Sequence, residues 1–414
     1  MKIAMDKLCR MFSDALDIIE KEQLGATKNH SKRVAALCIA MADKFDFEDD
    51  EVMTLAICAL FHDNSLAECP ITPDIVAQNE QSMVQHCGEG QNNISWLPLF
   101  SAVCGIILYH HEKENGDGPF HKLPDEIPIE ASLIAAADSV DLIYNLGDVN
   151  PDDLIGLRAK IRENAEAYST REAVDVLLDV LHKEMLENLR DENISNTLDE
   201  MLPKWEVNVW EPDVLDISNF FAHVIDSRGH IFGNQTFCSH SAQIADRAWI
   251  MANHYNYRPE ERSALYLAAA LHDLGKMAVP AFSSEESHLP SQEELLATKN
   301  HSQITYEWLS TVPGLELITS WASNHHEKLD GSGYPNGKRG DELDFNSRLI
   351  ACLCIYQSIS EKCPHHGARN HEEVMSVMFS MAKKGLIDEK ITQDIDDFME
   401  VYSLRDVPSP GVWQ

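Results

Sequence analysis

The chain has 414 residues, enough for two or three domains of ordinary size, and its 44% apolar content is that of a globular protein with a sizeable core. With 33 basic against 68 acidic side chains its net charge is -35, which repels a long nucleic acid, and no local basic patch overrides that field. A small anionic ligand stays compatible with it, because bound divalent cations and a few local lysines reverse the potential inside a pocket.

Ten cysteines are scattered without disulfide spacing, and the start Met1-Lys2-Ile3-Ala4-Met5-Asp6 lacks the apolar core of a signal peptide. A reducing cytoplasm is the expected location, with no membrane partner. Apolar positions recur at helical spacing from Leu8 to Ile19, and Gly25 to Asn29 breaks the pattern. His30 then opens a second amphipathic run through Val34, Leu37, Cys38 and Met41. The acidic stretch Asp46 to Glu51 reads as a solvated helix start. Val52 to Phe61 is nearly all apolar, as in a helix buried on several sides, and delivers His62-Asp63 at its end. His86 follows. Leu97 to Tyr109 is too short to span a bilayer and is expected as a buried helix leading into His110-His111. Leu133 to Ala137 ends at Asp138, and Asp152 to Leu198 carries further helical periodicity. Pro203 to Pro212 alternates apolar and polar residues between two prolines and reads as an extended linker or one short strand. Core helices are expected after Ser347 and between Glu372 and Tyr402.

The second half repeats the order of the first. His240, His272-Asp273, His301 and His325-His326 answer His30, His62-Asp63, His86 and His110-His111. The first interval is 32 residues in both halves, and the interval from the lone histidine to the pair is 24 in both. One histidine on an apolar helix face is ordinarily a hydrogen-bonded core residue. A duplicated series with two intervals kept favours a duplicated ligand set over a scaffold of inert histidines. An imidazole beside a carboxylate, with a second imidazole pair, supplies donors for two cations, and two adjacent cations acidify a shared water and neutralise the phosphoryl oxygens it attacks. The expected architecture is all-α: a helical domain over 1-202, a linker over 203-217 and a second helical domain over 218-414.

The motifs His272-Asp273-Leu274-Gly275-Lys276 and His325-His326-Glu327-Lys328-Leu329-Asp330-Gly331-Ser332-Gly333-Tyr334-Pro335 make the second half, roughly Ser218 to Phe398, resemble an HD-GYP domain. That is the branch of the HD phosphohydrolases that hydrolyses cyclic dinucleotides. The first half resembles a plainer HD domain, since Gly116-Asp117-Gly118-Pro119 carries no Gly-Tyr-Pro. The resemblance implies two divalent ions in the second domain, with Fe, Mn, Zn and Ni not distinguished. Their ligands would be His240, His272, Asp273, His301, His325 and His326, with Asp273 bridging. Lys276 would hold a phosphoryl oxygen, and Asp330, Gly333, Tyr334 and Pro335 would border the substrate. A further metal is expected in the first domain on His30, His62, Asp63, His86, His110, His111 and Asp138. The implied activity is metal-dependent opening of a cyclic dinucleotide, cyclic di-GMP or cyclic GMP-AMP, to a linear 5'-phosphorylated product. A nucleotidase activity in the first domain is a companion expectation, and a sensor or scaffold without turnover is the alternative. A homodimer is left open.

Four places in the second half depart from the family pattern. Cys354 stands where the late metal-binding aspartate belongs, and Gln357 replaces the next aspartate. A thiolate binds zinc or iron, but a thiol in an apolar helix is more often packing, and packing is the favoured reading. Cys363-Pro364-His365 replaces an Arg-Pro-Tyr assigned to substrate contact. Thr236 replaces a glutamate that brings a third metal, so two metals at most are expected. In the first domain Leu66 occupies the lysine position, while every ligand position is kept.

Overall fold

The computed structural model of the chain describes residues 2–72, 74, 75, 79, 81–99, 102–231, 239–279, 292–361 and 368–403. Thr236 and the Cys363-Pro364-His365 segment lie outside the described residues. Regular structure is helical throughout apart from two short antiparallel strands, β1 (Lys2–Ala4) and β2 (Glu206–Asn208), paired at Ile3 and Val207. β2 lies within the proline-bounded segment Pro203 to Pro212. One compact unit comprises Met5–Trp205, and a second comprises Glu206–Gln414 with Met1–Ala4.

The first unit contains α1 (Met5–Leu24), α2 (His30–Ala42), α3 (Asp49–Leu60), α4 (Gln81–Ile94) and α5 (Ile129–Tyr144), followed by shorter helices that include Leu154–Glu163 and Arg171–Val180. The acidic run before α3 is its start signal. Asp49, Asp50 and Glu51 occupy the first turn, where negative charge complements the helix dipole, and Glu51 accepts from the Glu48 backbone N–H at 2.9 Å. From Met53 to Leu60 every α3 side chain is buried, so the helix runs through the core and presents His62-Asp63 as it ends. α2 packs on both α3 and α5. The described part of Leu97 to Tyr109 is a series of turns, not the expected buried helix. Gly105 adopts φ +85°, a conformation that L side chains rarely adopt, and this breaks the run before His110.

In the second unit α6 (Asp213–Ile231), α7 (His240–His254), α8 (Pro259–Leu271), α9 (Gln292–Lys299), α10 (His301–Leu309), α11 (Glu316–Ser323), α12 (Phe345–Ser360), α13 (His371–Lys383) and α14 (Glu389–Ser403) follow in order. α6 begins inside the segment expected as linker. α8 is the central element, packed against α6, α7 and α11, and its last turn passes directly into His272-Asp273. Asp344 caps α12 by accepting from Ser347 N–H at 2.8 Å. No helix among the described residues is long and apolar enough to cross a membrane.

Candidate metal centres

In each unit the ends of helices aim imidazoles at one buried carboxylate. The orientation comes from a local rule. His62, His110, His272, His301 and His325 each place Nδ1 on the carbonyl oxygen three residues earlier, those of Ala59, Ile107, Ala269, Thr298 and Ala322, at 2.5–2.9 Å. A carbonyl only accepts, so Nδ1 carries a hydrogen and Nε2 is the nitrogen left to offer a metal when the ring is neutral. His86 takes its Nδ1 partner from the Ser65 hydroxyl at 2.9 Å.

In the second unit Asp273 stands at the centre, 2% exposed. Its Oδ2 lies 3.2 Å from His272 Nε2 and 3.7 Å from His240 Nε2, and its Oδ1 lies 3.2 Å from His301 Nε2 and 3.6 Å from His325 Nε2. The two oxygens of one carboxylate thus face two sets of nitrogens. Lys276, in the short 3-10 turn Leu274–Ala278, reaches Asp273 Oδ2 at 2.5 Å. Burial alone would raise the Asp273 pKa, but His272 and Lys276 hold it well below the carboxylate range. Burial likewise opposes charge on Lys276, and Asp273 outweighs it, so the ammonium is retained. Burial and its histidine neighbours push His326 down to about 2 and depress His325 strongly, which leaves both neutral and ready to donate.

The first unit repeats this around Asp63. Its Oδ2 lies 3.6 Å from His62 Nε2, and its Oδ1 lies 3.0 and 3.6 Å from His86 and His110 Nε2. Asp138 completes the cage at 3.1 Å from His30 Nε2 and 3.7 Å from His62 Nε2. Burial resists charge on His62, yet Asp63 and Asp138 hold its pKa up to about 10.

The donor set fits divalent cations. The ligand atoms of Asp63, His86, His110 and His111 lie within 4.8 Å of one another, as do those of His30, His62 and Asp138, of His240, His272 and Asp273, and of His301, His325 and His326. Three of these buried nitrogens, Nε2 of His62, His110 and His111, have no hydrogen-bond partner, and neither has Asp273 Oδ1. Orphaned buried polar atoms among such clustered donors are what a ligand set looks like from the protein side. Cys354, 3% exposed, lies against His272 and lines the cavity, but its sulfur is outside those ligand groups.

The second centre opens into a cavity of about 220 Å³ lined by His240, His272, Asp273, Lys276, His325, His326, Cys354 and Ser358. Tyr334 stacks near His326 with ring centroids 4.6 Å apart, its N–H donates to His326 O at 3.2 Å, and Lys299 Nζ stands 5.7 Å from its ring. Gly333 is forced by packing: a Cβ there would lie 2.5 Å from the backbone of His326, Glu327 and Lys328. Pro335 follows in the same loop. Asp330 is exposed, and its Oδ1 accepts from Ser332 N–H and Oγ at 2.9 and 2.7 Å, so it braces the loop and does not line the cavity. Glu327 anchors that loop from below by accepting from the Asn336 and Lys338 N–H groups at 2.8 and 2.9 Å. Glu112 does the same in the first unit for Phe120 and Lys122 at 2.7 and 2.6 Å, and Gly118 lies six residues on, as Gly333 does from Glu327. The loop is therefore repeated even where its Gly-Tyr-Pro is missing.

Residues 27–143 match the model of the HD domain, and residues 231–391 match a second HD-domain model. The chain is a tandem of two HD domains. Along nearly its whole length, 93% of this chain and 90% of the relative, it is 27% identical over 407 residues to 3'3'-cGAMP-specific phosphodiesterase 1 of Vibrio cholerae. It is 24% identical over 309 residues to phosphodiesterase 3 of that name and organism, covering 72% and 64% of the two chains. A cyclic di-GMP phosphodiesterase of Thermotoga maritima is 22% identical over 256 residues, 61% of this chain and 67% of that one. The crystal structure of a cyclic GMP-AMP specific phosphodiesterase from V. cholerae superposes with a TM-score of 0.63 over 99% of both chains at 17% identity, which shows a shared fold.

One member of the first HD domain's centre was not foreseen from the motifs. Glu20 on α1 is 1% exposed, and its carboxylate falls within 4.8 Å of the ligand atoms of His62 and Asp63. Its signal was its place four residues after Leu16, on the apolar stripe of α1 where a carboxylate has no packing role. The Ser31 hydroxyl stands 2.8 Å from Asp17 Oδ1 and 3.1 Å from Glu20 Oε1, but its single hydrogen serves one of them. Burial and the Asp17 charge therefore push Glu20 up to about 8 from 4.5. A carboxyl raised in the folded state contributes its full stability below the unfolded value and loses it as pH rises through the folded one. In metal-free protein, Glu20→Gln should thus gain stability over wild type, by a few degrees of melting temperature, as pH goes from 5 to 8. Thermal melts in chelator at both pH values check this, and a gap that does not widen contradicts it.

Proposed function

We propose that the protein is a metal-dependent phosphodiesterase that opens a cyclic dinucleotide at the second HD domain, giving a linear 5'-phosphorylated dinucleotide. The observation that carries this reading is Asp273, whose two oxygens face separate histidine sets while Lys276 stands beside one of them at the cavity wall. Bound divalent cations would supply an acidified water and neutralise phosphoryl charge. His240 and His272 would hold one ion, His301, His325 and His326 the other, and Asp273 would join both. Lys276 carries a permanent positive charge to the wall of the cavity, where a non-bridging phosphoryl oxygen gains charge during displacement. The cavity, about 220 Å³, is smaller than the roughly 300–1,000 Å³ that encloses a whole drug-sized ligand. It is sized for the phosphodiester and not for a whole dinucleotide.

Whole-length likeness to a 3'3'-cGAMP-specific enzyme favours the mixed cyclic GMP-AMP over cyclic di-GMP. Protein loaded with each divalent metal should convert 3'3'-cGAMP to a linear product faster than cyclic di-GMP. Metal-replete protein that leaves every cyclic dinucleotide intact would sink the proposal and revive the sensor reading. The first HD domain supports a second activity, removal of a terminal phosphate, because its cage keeps Asp138 and adds Glu20 while Leu66 replaces the lysine. Asp63→Ala should then stop the product at the linear dinucleotide, with its 5'-phosphate retained.

A further inference from the structure

Among the described residues, His30 and His240 are the two cage histidines whose ring Nδ1 is held by a distant carboxylate. Both open a helix, so the helix that carries them supplies no carbonyl three residues back. His301 also opens a helix, but the preceding α9 provides Thr298 O. In the first domain the need is met by Asp141, which takes His30 Nδ1–H at 2.7 Å and is itself gripped by Arg33 at 2.8 and 2.9 Å. Asp141 lies three residues after Asp138 and Arg33 three after His30. In the second domain the matching positions are Gln357, three after Cys354, and Gln243, three after His240. These two glutamines still meet each other, Gln357 Nε2 donating to Gln243 Oε1 at 2.7 Å, but neither carries a charge.

We propose that Glu361, one turn beyond Gln357 at the end of α12, is the relocated carboxylate that positions His240 for metal binding. Its two oxygens lie 3.0 and 3.1 Å from His240 Nδ1, its side chain is 10% exposed, and Gln357 Nε2 donates to Oε1 at 2.5 Å. The glutamine that lost the charge has become the strut that holds its replacement. A carboxylate on Nδ1 fixes the tautomer, turns Nε2 toward Asp273 Oδ2 and makes it a stronger donor. The second domain's first metal position is thereby kept although Cys354 and Gln357 have replaced both aspartates of the pattern that the first domain retains.

This inference rests on the reading of His240 as a metal ligand. The test is the Zn(II) affinity of the metal-free full chain, measured by competition with a chelating indicator. Glu361→Gln should weaken one class of site about 10–100-fold, and adding Gln357→Asp should restore most of it by returning the carboxylate to the position Asp141 holds in the first domain. Asp141→Asn should weaken the first domain's site by a similar factor. Unchanged affinity in Glu361→Gln overturns the proposal, and so does a loss that Gln357→Asp fails to recover, since that is general damage to α12. If His272→Ala also leaves Zn(II) uptake at the wild-type level, the second domain binds no metal and the reading beneath the proposal falls with it.

Discussion

Asp273→Ala is expected to abolish cyclic-dinucleotide hydrolysis, by about 10³-fold or more, and to lower the metal content of the chain. Both effects follow from one geometry. The carboxylate is the only group that faces His272 and His240 with one oxygen and His301 and His325 with the other among the described residues. Without it the two histidine sets lose the carboxylate they share, and His272, whose pKa Asp273 holds well above the usual value against burial, loses its counter-charge. Metal analysis of Asp273→Ala beside Asp63→Ala separates the domains. The first should lose the phosphodiesterase reaction and the second should keep it. Retained hydrolysis in Asp273→Ala, in protein with wild-type circular dichroism, would place the chemistry elsewhere.

Much of this centre was legible in the sequence because ligand order and spacing survive duplication. The 32-residue interval spans two consecutive helices in both halves, α2 and α3 in the first and α7 and α8 in the second, so the histidines that bound it also share a place in space. The second domain's cage therefore assembled from the residues named in advance. Other features were hidden for physical reasons. Glu20, Asp141 and Glu361 belong to no motif, and each acts across the fold: Glu20 beside His62 and Asp63, Asp141 108 residues from Arg33 and Glu361 121 residues from His240. Composition hid the break at Gly105 as well, since an apolar run with one glycine still reads as helix until a positive φ interrupts it. Asp330 sits in the most recognisable motif, where its carboxylate accepts from Ser332, while the buried Glu327, which the motif did not single out, anchors the loop.

The two cages differ in where positive and negative charge accompany the bridging aspartate. Beside Asp63 stands Glu20, an additional carboxylate, and Leu66 fills the lysine position with a fully buried apolar side chain. Beside Asp273 stands Lys276. A site with a second carboxyl and no ammonium suits firm cation binding, since a bound cation would favour the ionised form of Glu20. A site with a fixed ammonium suits a diester whose non-bridging oxygens gain charge as the bond breaks.

Lys276→Met tests that difference and should lower kcat by about 10²–10³-fold while metal content and KM stay close to wild type. The Lys276 side chain is 39% exposed and lines the cavity, so a ligand can reach it while its ammonium rests on Asp273 Oδ2. A bound cation would draw on the Asp273 carboxylate and loosen its hold on Lys276, whose ammonium would then be free to turn to a phosphoryl oxygen. An interaction made chiefly as charge develops appears in kcat and not in KM. Methionine keeps the length and the packing of the side chain against the 3-10 turn while removing the charge, so folding is spared. Arginine is a poorer substitute than its charge suggests, because a planar guanidinium is wider than the ammonium that fits between Asp273 and the cavity. Steady-state kinetics of wild type, Lys276→Met and Lys276→Arg with 3'3'-cGAMP, beside metal analysis of the same preparations, decide the point. A Lys276→Met protein that loses its metals together with its activity would make the lysine a support of the cage, and one that retains full kcat would remove it from the chemistry.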